Sequence, residues 1–203
     1  MAKIPLLEMT SRRLIRTGRS RWWVIVFSLL FLMAPFSSLT IGQPTLNEQI
    51  KNFRLRGYPS DMRPSEFTGK TSDGKAMSLA QFRGRVVLLN FFATWCSECR
   101  PEMPMFEKLH QEFASQGLAV LGINFREGKR TIRKYAEELG LTFPLVLDPN
   151  GQISRSYGVI GLPTTFLIAR DGRPVALAIG PREWDGEKAK AIVRTLLAES
   201  DKR

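Results

Sequence analysis

The stretch "RVVLLNFFATWCSECRPEMP", Arg85 to Pro104, constrains this chain more than any other. From Val86 to Phe92 only Asn90 interrupts the apolar side chains, so neither face of the segment is suited to water. A strand of that kind belongs in a sheet covered on both sides. It runs straight into Cys96 and Cys99, the two cysteines of a 203-residue chain. Met103, Phe106, Leu109 and Phe113 follow at spacings of three and four, and Gly117 closes the pattern. That spacing predicts an amphipathic helix with a glycine stop.

The same alternation continues downstream. "LAVLGINF" and "FPLVLD" read as strands, "KRTIRKYAEELG" as a helix ending in glycine, and "GQISRSYG" as a short helix. "TTFLIA" and "PVALAIG" are strands across the tight turn "RDGR". "DGEKAKAIVRTLLAE" closes as a helix with Ala191, Val193, Leu196 and Leu197 mainly on its buried side. Upstream, "SDG" within "SEFTGKTSDGKAMSLAQFRG" suggests a hairpin or turn. The expectation is an α/β fold, a parallel or mixed sheet with helices on both faces and an antiparallel pair at the end. The "GKT" at Gly69 to Thr71 is not a phosphate-binding loop, because position 64 is proline where that loop needs glycine.

A net charge of +11 suggests nucleic acid until it is divided along the chain. Residues 1–21 hold six basic side chains against Glu8, leaving 24 basic and 18 acidic residues without a basic block over the remainder. Nucleic-acid binding is therefore not the expectation. The leader precedes "WWVIVFSLLFLMAPFSSLTI", Trp22 to Ile41, a run without a charge. Twenty helical residues reach about 30 Å, the thickness of a bilayer's hydrocarbon core. Trp22 and Trp23 stand where the aromatic belt belongs, and the basic cluster should stay in the cytoplasm. A cleavable signal peptide competes with this signal anchor, but no A-x-A site is present. Either reading exports the rest of the chain. The division expected is a basic cytoplasmic leader over 1–21, a transmembrane segment over 22–41, a polar linker over 42–61 and a folded domain over 62–203.

Cys96 and Cys99 sit where a buried strand feeds a helix. Unpaired amides at the helix start favour a thiolate on Cys96, and a spacing of three lets both sulfurs meet on the first turn. Cys96 is then the attacking sulfur and Cys99 the resolving one, through a mixed disulfide. A permanent staple is the competing reading, although so short a loop constrains the unfolded chain little. Haem attachment would need histidine after Cys99, where Arg100 stands. With His110 as the sole histidine, no metal site is expected.

"VVLLNFFATWCSECRPEMPMF" and "YGVIGLPTTFLIARDGRPV" together resemble the thioredoxin superfamily, and more narrowly the TlpA/ResA type of membrane-anchored, extracytoplasmic thiol–disulfide oxidoreductase. The likeness covers about residues 62 to 200. It implies a thioredoxin-like fold with an N-terminal hairpin and an inserted strand–helix unit. It implies a cis peptide between Leu162 and Pro163 beside the cysteines, with the Leu162 backbone open to an extended substrate. Pro104 matches a proline that kinks the active-site helix, and Trp95 a tryptophan with a substrate-facing role. Asn90 stands where thioredoxin itself has a proton-transferring aspartate, so Glu102, one turn beyond Cys99, becomes the candidate acid–base group. The resemblance implies no cofactor beyond the Cys96–Cys99 pair. It implies reduction of selected client disulfides, for example in apocytochrome c, and a transmembrane electron donor. Glu98 between the cysteines disfavours a second negative charge and points the same way, toward a reductase.

Two other functions compete. A thiol peroxidase commonly has Thr or Ser three residues before its cysteine, where this chain has Ala93. A copper chaperone on the same fold would use wider cysteine spacing and a distant histidine, unlike His110.

Overall fold

A computed structural model describes residues 44–58 and 66–199. The leader over 1–21 and the apolar run over 22–41 lie outside the described residues. No helix among the described residues is long and apolar enough to cross a membrane.

The central strand forms as expected. Strand β4, Val86–Phe92, is buried at all seven positions. Its side chains alternate between two cores, Val86, Leu88 and Phe92 on one face and Val87, Leu89 and Phe91 on the other. This is the period-two geometry of a strand with no wet side. Around it lie β1 (Arg56–Gly57), β2 (Thr68–Thr71), β3 (Ala76–Ser78), β5 (Leu118–Phe125), β6 (Leu145–Asp148), β7 (Thr164–Ile168) and β8 (Pro174–Ile179). The sheet order is β1-β8-β7-β4-β5-β6-β2-β3. The β4–β5 and β5–β6 pairs are parallel and the others antiparallel, so the sheet is mixed. The "SDG" segment makes the β2–β3 hairpin, which continues the sheet beyond β6.

The helices are α1 (Leu46–Asn52), α2 (Glu102–Phe113), α3 (Lys129–Leu139), α4 (Gln152–Ser156) and α5 (Glu187–Ala198). They are unevenly shared between the faces. The core on one face takes buried residues from α1, α2, α3 and α5; the other is closed by the short α4, Leu79 of a 3-10 turn, Phe67 and Tyr157. The expected stripe of α2 is fully buried at Met103, Phe106, Leu109 and Phe113. After it the chain reverses at Gly117, whose φ of 107° a side chain rarely tolerates. In α5 the buried set is Ala189, Ile192, Val193 and Leu196. Ala191 and Leu197, expected inside, are half-buried.

Over its described residues, 44–58, the linker expected for 42–61 is corrected by the structure. Thr45 and Glu48 form a reciprocal capping box that starts α1. Arg56 and Gly57 then pair antiparallel with Leu177 and Ala176 of β8. Ile50, Phe53 and Leu55 enter the main core, so burial holds this polar-looking segment in place.

Candidate active site

Strand β4 delivers the chain to the site, and β7 delivers the loop opposite. In their antiparallel register Phe91 faces Thr164 and Asn90 faces Thr165. The residues just after β4 therefore lie beside those just before β7. These are Ala93 to Cys96 on one side and Leu162–Pro163, joined by a cis peptide, on the other.

Cys96 and Cys99 form a disulfide with their Cα atoms 5.3 Å apart. They do not lie on the first turn of the regular helix, as expected, but in turns preceding it. Pro104 has no N–H with which to reach the Arg100 carbonyl, so residues 97–101 fold as turns and α2 begins at Glu102. Pro104 thus sits in the first helical turn, where it limits the helix start rather than kinking its interior. The turns still aim amides at the sulfur. The Cys99 amide donates to Cys96 Sγ at 3.1 Å and also reaches the Cys96 carbonyl at 3.2 Å. A donor held there stabilises negative charge on Cys96 once the bond opens.

The two cysteines differ in access, Cys96 being 8% exposed and Cys99 1%. Cys96 lies in a groove of about 420 Å³ lined by Trp95, Glu98, Phe125, Ile160 and Leu162 among others. Trp95 and Ile160 stand out as large apolar side chains 67% and 90% exposed. Among the described residues no hydrogen bond uses the amide or carbonyl of Leu162. An extended peptide entering the groove thus meets apolar rims and an unpaired stretch of backbone.

Glu102 is buried, 1% exposed, against α2's own start. Its Oε1 accepts from the Arg182 amide at 2.8 Å and from Trp184 Nε1 at 2.7 Å, while Oε2 is buried without a hydrogen-bond partner among the described residues. Burial pushes its pKa up to about 7, outweighing the two hydrogen bonds and the Arg182 charge, which favour the carboxylate. The Glu98 charge adds to the upward shift. The Glu102 amide donates to the Cys99 carbonyl at 3.1 Å, which ties the acid to the cysteine turn. Asn90 is buried, its Nδ2 donating to Thr165 Oγ1 at 2.9 Å. It has no proton to give at neutral pH.

Three contributors had escaped the sequence reading. Arg182 and Trp184 come from the segment between β8 and α5 and carry no local motif. Glu127, just after β5, accepts from the Thr94 amide at 2.8 Å and from the Thr94 hydroxyl, fixing the approach to Trp95 and Cys96.

Comparisons with known proteins agree with this geometry. The chain is 40% identical over 115 residues to the thiol-disulfide oxidoreductase ResA of Geobacillus thermodenitrificans, covering 57% of this chain and 66% of that protein, just under two thirds. It is 40% identical over 147 residues to the thioredoxin-like protein YneN of Bacillus subtilis, covering 71% of this chain and 82% of that one. The crystal structure of a putative thiol:disulfide interchange protein DsbE from Chlorobium tepidum superposes with a TM-score of 0.64 at 28% identity, covering 69% of this chain and 99% of that structure. Residues 60–174 match the AhpC/TSA family. With its thioredoxin-like fold and its paired cysteines after a buried strand, the chain belongs to the AhpC/TSA family.

Proposed function

We propose that the chain is a thiol–disulfide oxidoreductase working outside the cytoplasm as a reductase of selected protein disulfides. The observation that carries this reading is the unequal pair, Cys96 reachable in an apolar groove and Cys99 closed off behind it. In the reduced enzyme the Cys96 thiolate attacks one sulfur of a client disulfide and displaces the other as a thiolate. Cys99 then attacks Cys96 Sγ, releasing the client dithiol and leaving the Cys96–Cys99 disulfide. Two electrons pass to the client, and in this reading Glu102 takes the proton that Cys99 gives up.

The acid between the cysteines supports this direction, opposing the Cys99 amide. Glu98 lines the groove beside Cys96, so negative charge on the open pair has an acidic neighbour. That disfavours the thiolate and makes the dithiol the better electron donor. The names of the relatives support the reaction class. The uncharged run over 22–41 supports export with that run retained as an anchor, and an exported reductase calls for a transmembrane electron donor to re-reduce the pair. The cysteine pair of an apocytochrome c is the client of choice. Full-length Cys99→Ser should accumulate mixed disulfides through Cys96 with such clients; a variant that traps none while Cys96 still alkylates would contradict the reading.

A further inference from the structure

The nine residues Arg126 to Lys134, "REGKRTIRK", carry five basic side chains and one acidic. Arg126, Lys129, Arg130, Arg133 and Lys134 are all exposed. None of the five forms an ion pair among the described residues. The single acid, Glu127, turns inward onto Thr94 and Asn124. On α3 the four helical cations occupy the side opposite Ile132 and Tyr135, which are buried. Glu137 follows one turn further on, and Glu138 is bound by Arg100.

This cationic face touches the groove. The Arg126 guanidinium lies 5.0 Å from the ring of Phe125, a groove residue. Beyond the cysteine turn a second hollow of about 430 Å³ is walled by Thr94, Arg100, Arg130, Thr131, Lys134 and Tyr135, with Glu138 as its one acid, paired to Arg100. The groove itself is apolar apart from Glu98 and the polar Ser97, so the positive charge is placed beside the reacting sulfur rather than upon it.

We propose that the Arg126–Lys134 face docks an acidic stretch of the protein that presents its cysteines to Cys96. The preferred substrate then has aspartates or glutamates flanking its disulfide. The proposal rests on the thiol–disulfide reading above. Charge complementarity identifies the occupant, and the position of the face selects a protein over a lipid surface. An anionic bilayer lying on these residues would also cover Phe125, which lines the groove that holds Cys96. A cluster of like charges beside a reactive groove raises encounter rates for an opposite charge, an effect lost as salt shortens its reach to about 10 Å or less.

The test uses the reduced full-length chain and two peptides, each with one disulfide, identical except for three flanking aspartates or three flanking lysines. Each turnover opens the peptide disulfide and closes Cys96–Cys99. At low salt the acidic peptide should react at least about tenfold faster, and the ratio should fall toward one as salt rises. Arg130→Glu with Lys134→Glu should abolish or invert the ratio. Lys129→Ser with Arg133→Ser, a milder change, should reduce it. Because each ratio is taken within one protein, a general loss of activity does not imitate the effect. Equal rates for both peptides at low salt, or a ratio that survives charge reversal, overturn the docking proposal. Failure to reduce either peptide overturns the underlying reading instead. Slowing by phosphatidylserine vesicles, absent with phosphatidylcholine and lost on charge reversal, would assign the face to lipid and also overturn the proposal.

Discussion

Trp184 Nε1 donates a 2.7 Å hydrogen bond to Glu102 Oε1, joining residues 82 apart in the chain. The bond fixes a buried carboxyl one turn from Cys99. It also connects that carboxyl to the N-terminal segment, because the Phe53 ring packs edge-on against Trp184 with centroids 5.3 Å apart. The Arg182 guanidinium reaches the Arg54 carbonyl at 3.0 Å, while the Arg182 amide holds Glu102. The turn between α1 and β1, Phe53 and Arg54, thus forms part of the wall around the acid.

Glu102→Gln keeps an acceptor for both donors but removes the ionisation. Glu102 moves from an ordinary 4.5 to about 7 on folding. The neutral form is therefore favoured in the fold: its contribution is complete below about 4.5 and is lost as pH rises through about 7. The shift corresponds to roughly 3 kcal/mol. Urea unfolding of the oxidised proteins should show the wild type losing about that much stability between pH 4.5 and 8, and the variant much less. In the reduced protein the pH profile of Cys96 alkylation should differ between the wild type and Glu102→Gln, and identical profiles would remove Glu102 from the thiol chemistry.

Trp184→Phe keeps a ring in the core while deleting the indole N–H. That donor favours the carboxylate, so its loss should raise the Glu102 midpoint by about one pH unit. A carboxyl carbon titration by NMR would read the change directly. A midpoint that stays in place or falls would show that the hydrogen bond does not tune the acid.

How much of this was legible in the chain divides along the distance between partners. Local patterns were sufficient for β4, the buried stripe of α2 and the paired cysteines, because period and spacing encode them within a few residues. Glu102 was legible as one turn beyond Cys99, but Trp184 and Arg182 were not, since register and packing alone bring them there. The α1 segment did carry a signal. "TLNE" from Thr45 to Glu48 is a capping box, hidden in a stretch whose polar composition reads as linker. Proline misled in the opposite direction: Pro104 was read as a kink, and its missing N–H instead sets where α2 begins.

Phe53→Ala separates the wall from the cap. Removing a buried ring, 8% exposed, should cost about 3 kcal/mol and admit water beside Trp184. The Glu102 midpoint should then move down toward 4.5. Thr45→Ala, which deletes only the helix cap, should cost about 1 kcal/mol and leave the midpoint unchanged. Equal shifts in both variants would remove the N-terminal wall from the account.

The most direct measurement is a redox titration of the purified chain in dithiothreitol and glutathione buffers, with alkylated cysteines located by mass spectrometry. The account predicts that Cys96–Cys99 opens reversibly at the potential of a reducing dithiol, with Cys96 labelled well before Cys99. A bond that stays closed throughout, or a pair whose shielded sulfur reacts first, would contradict it.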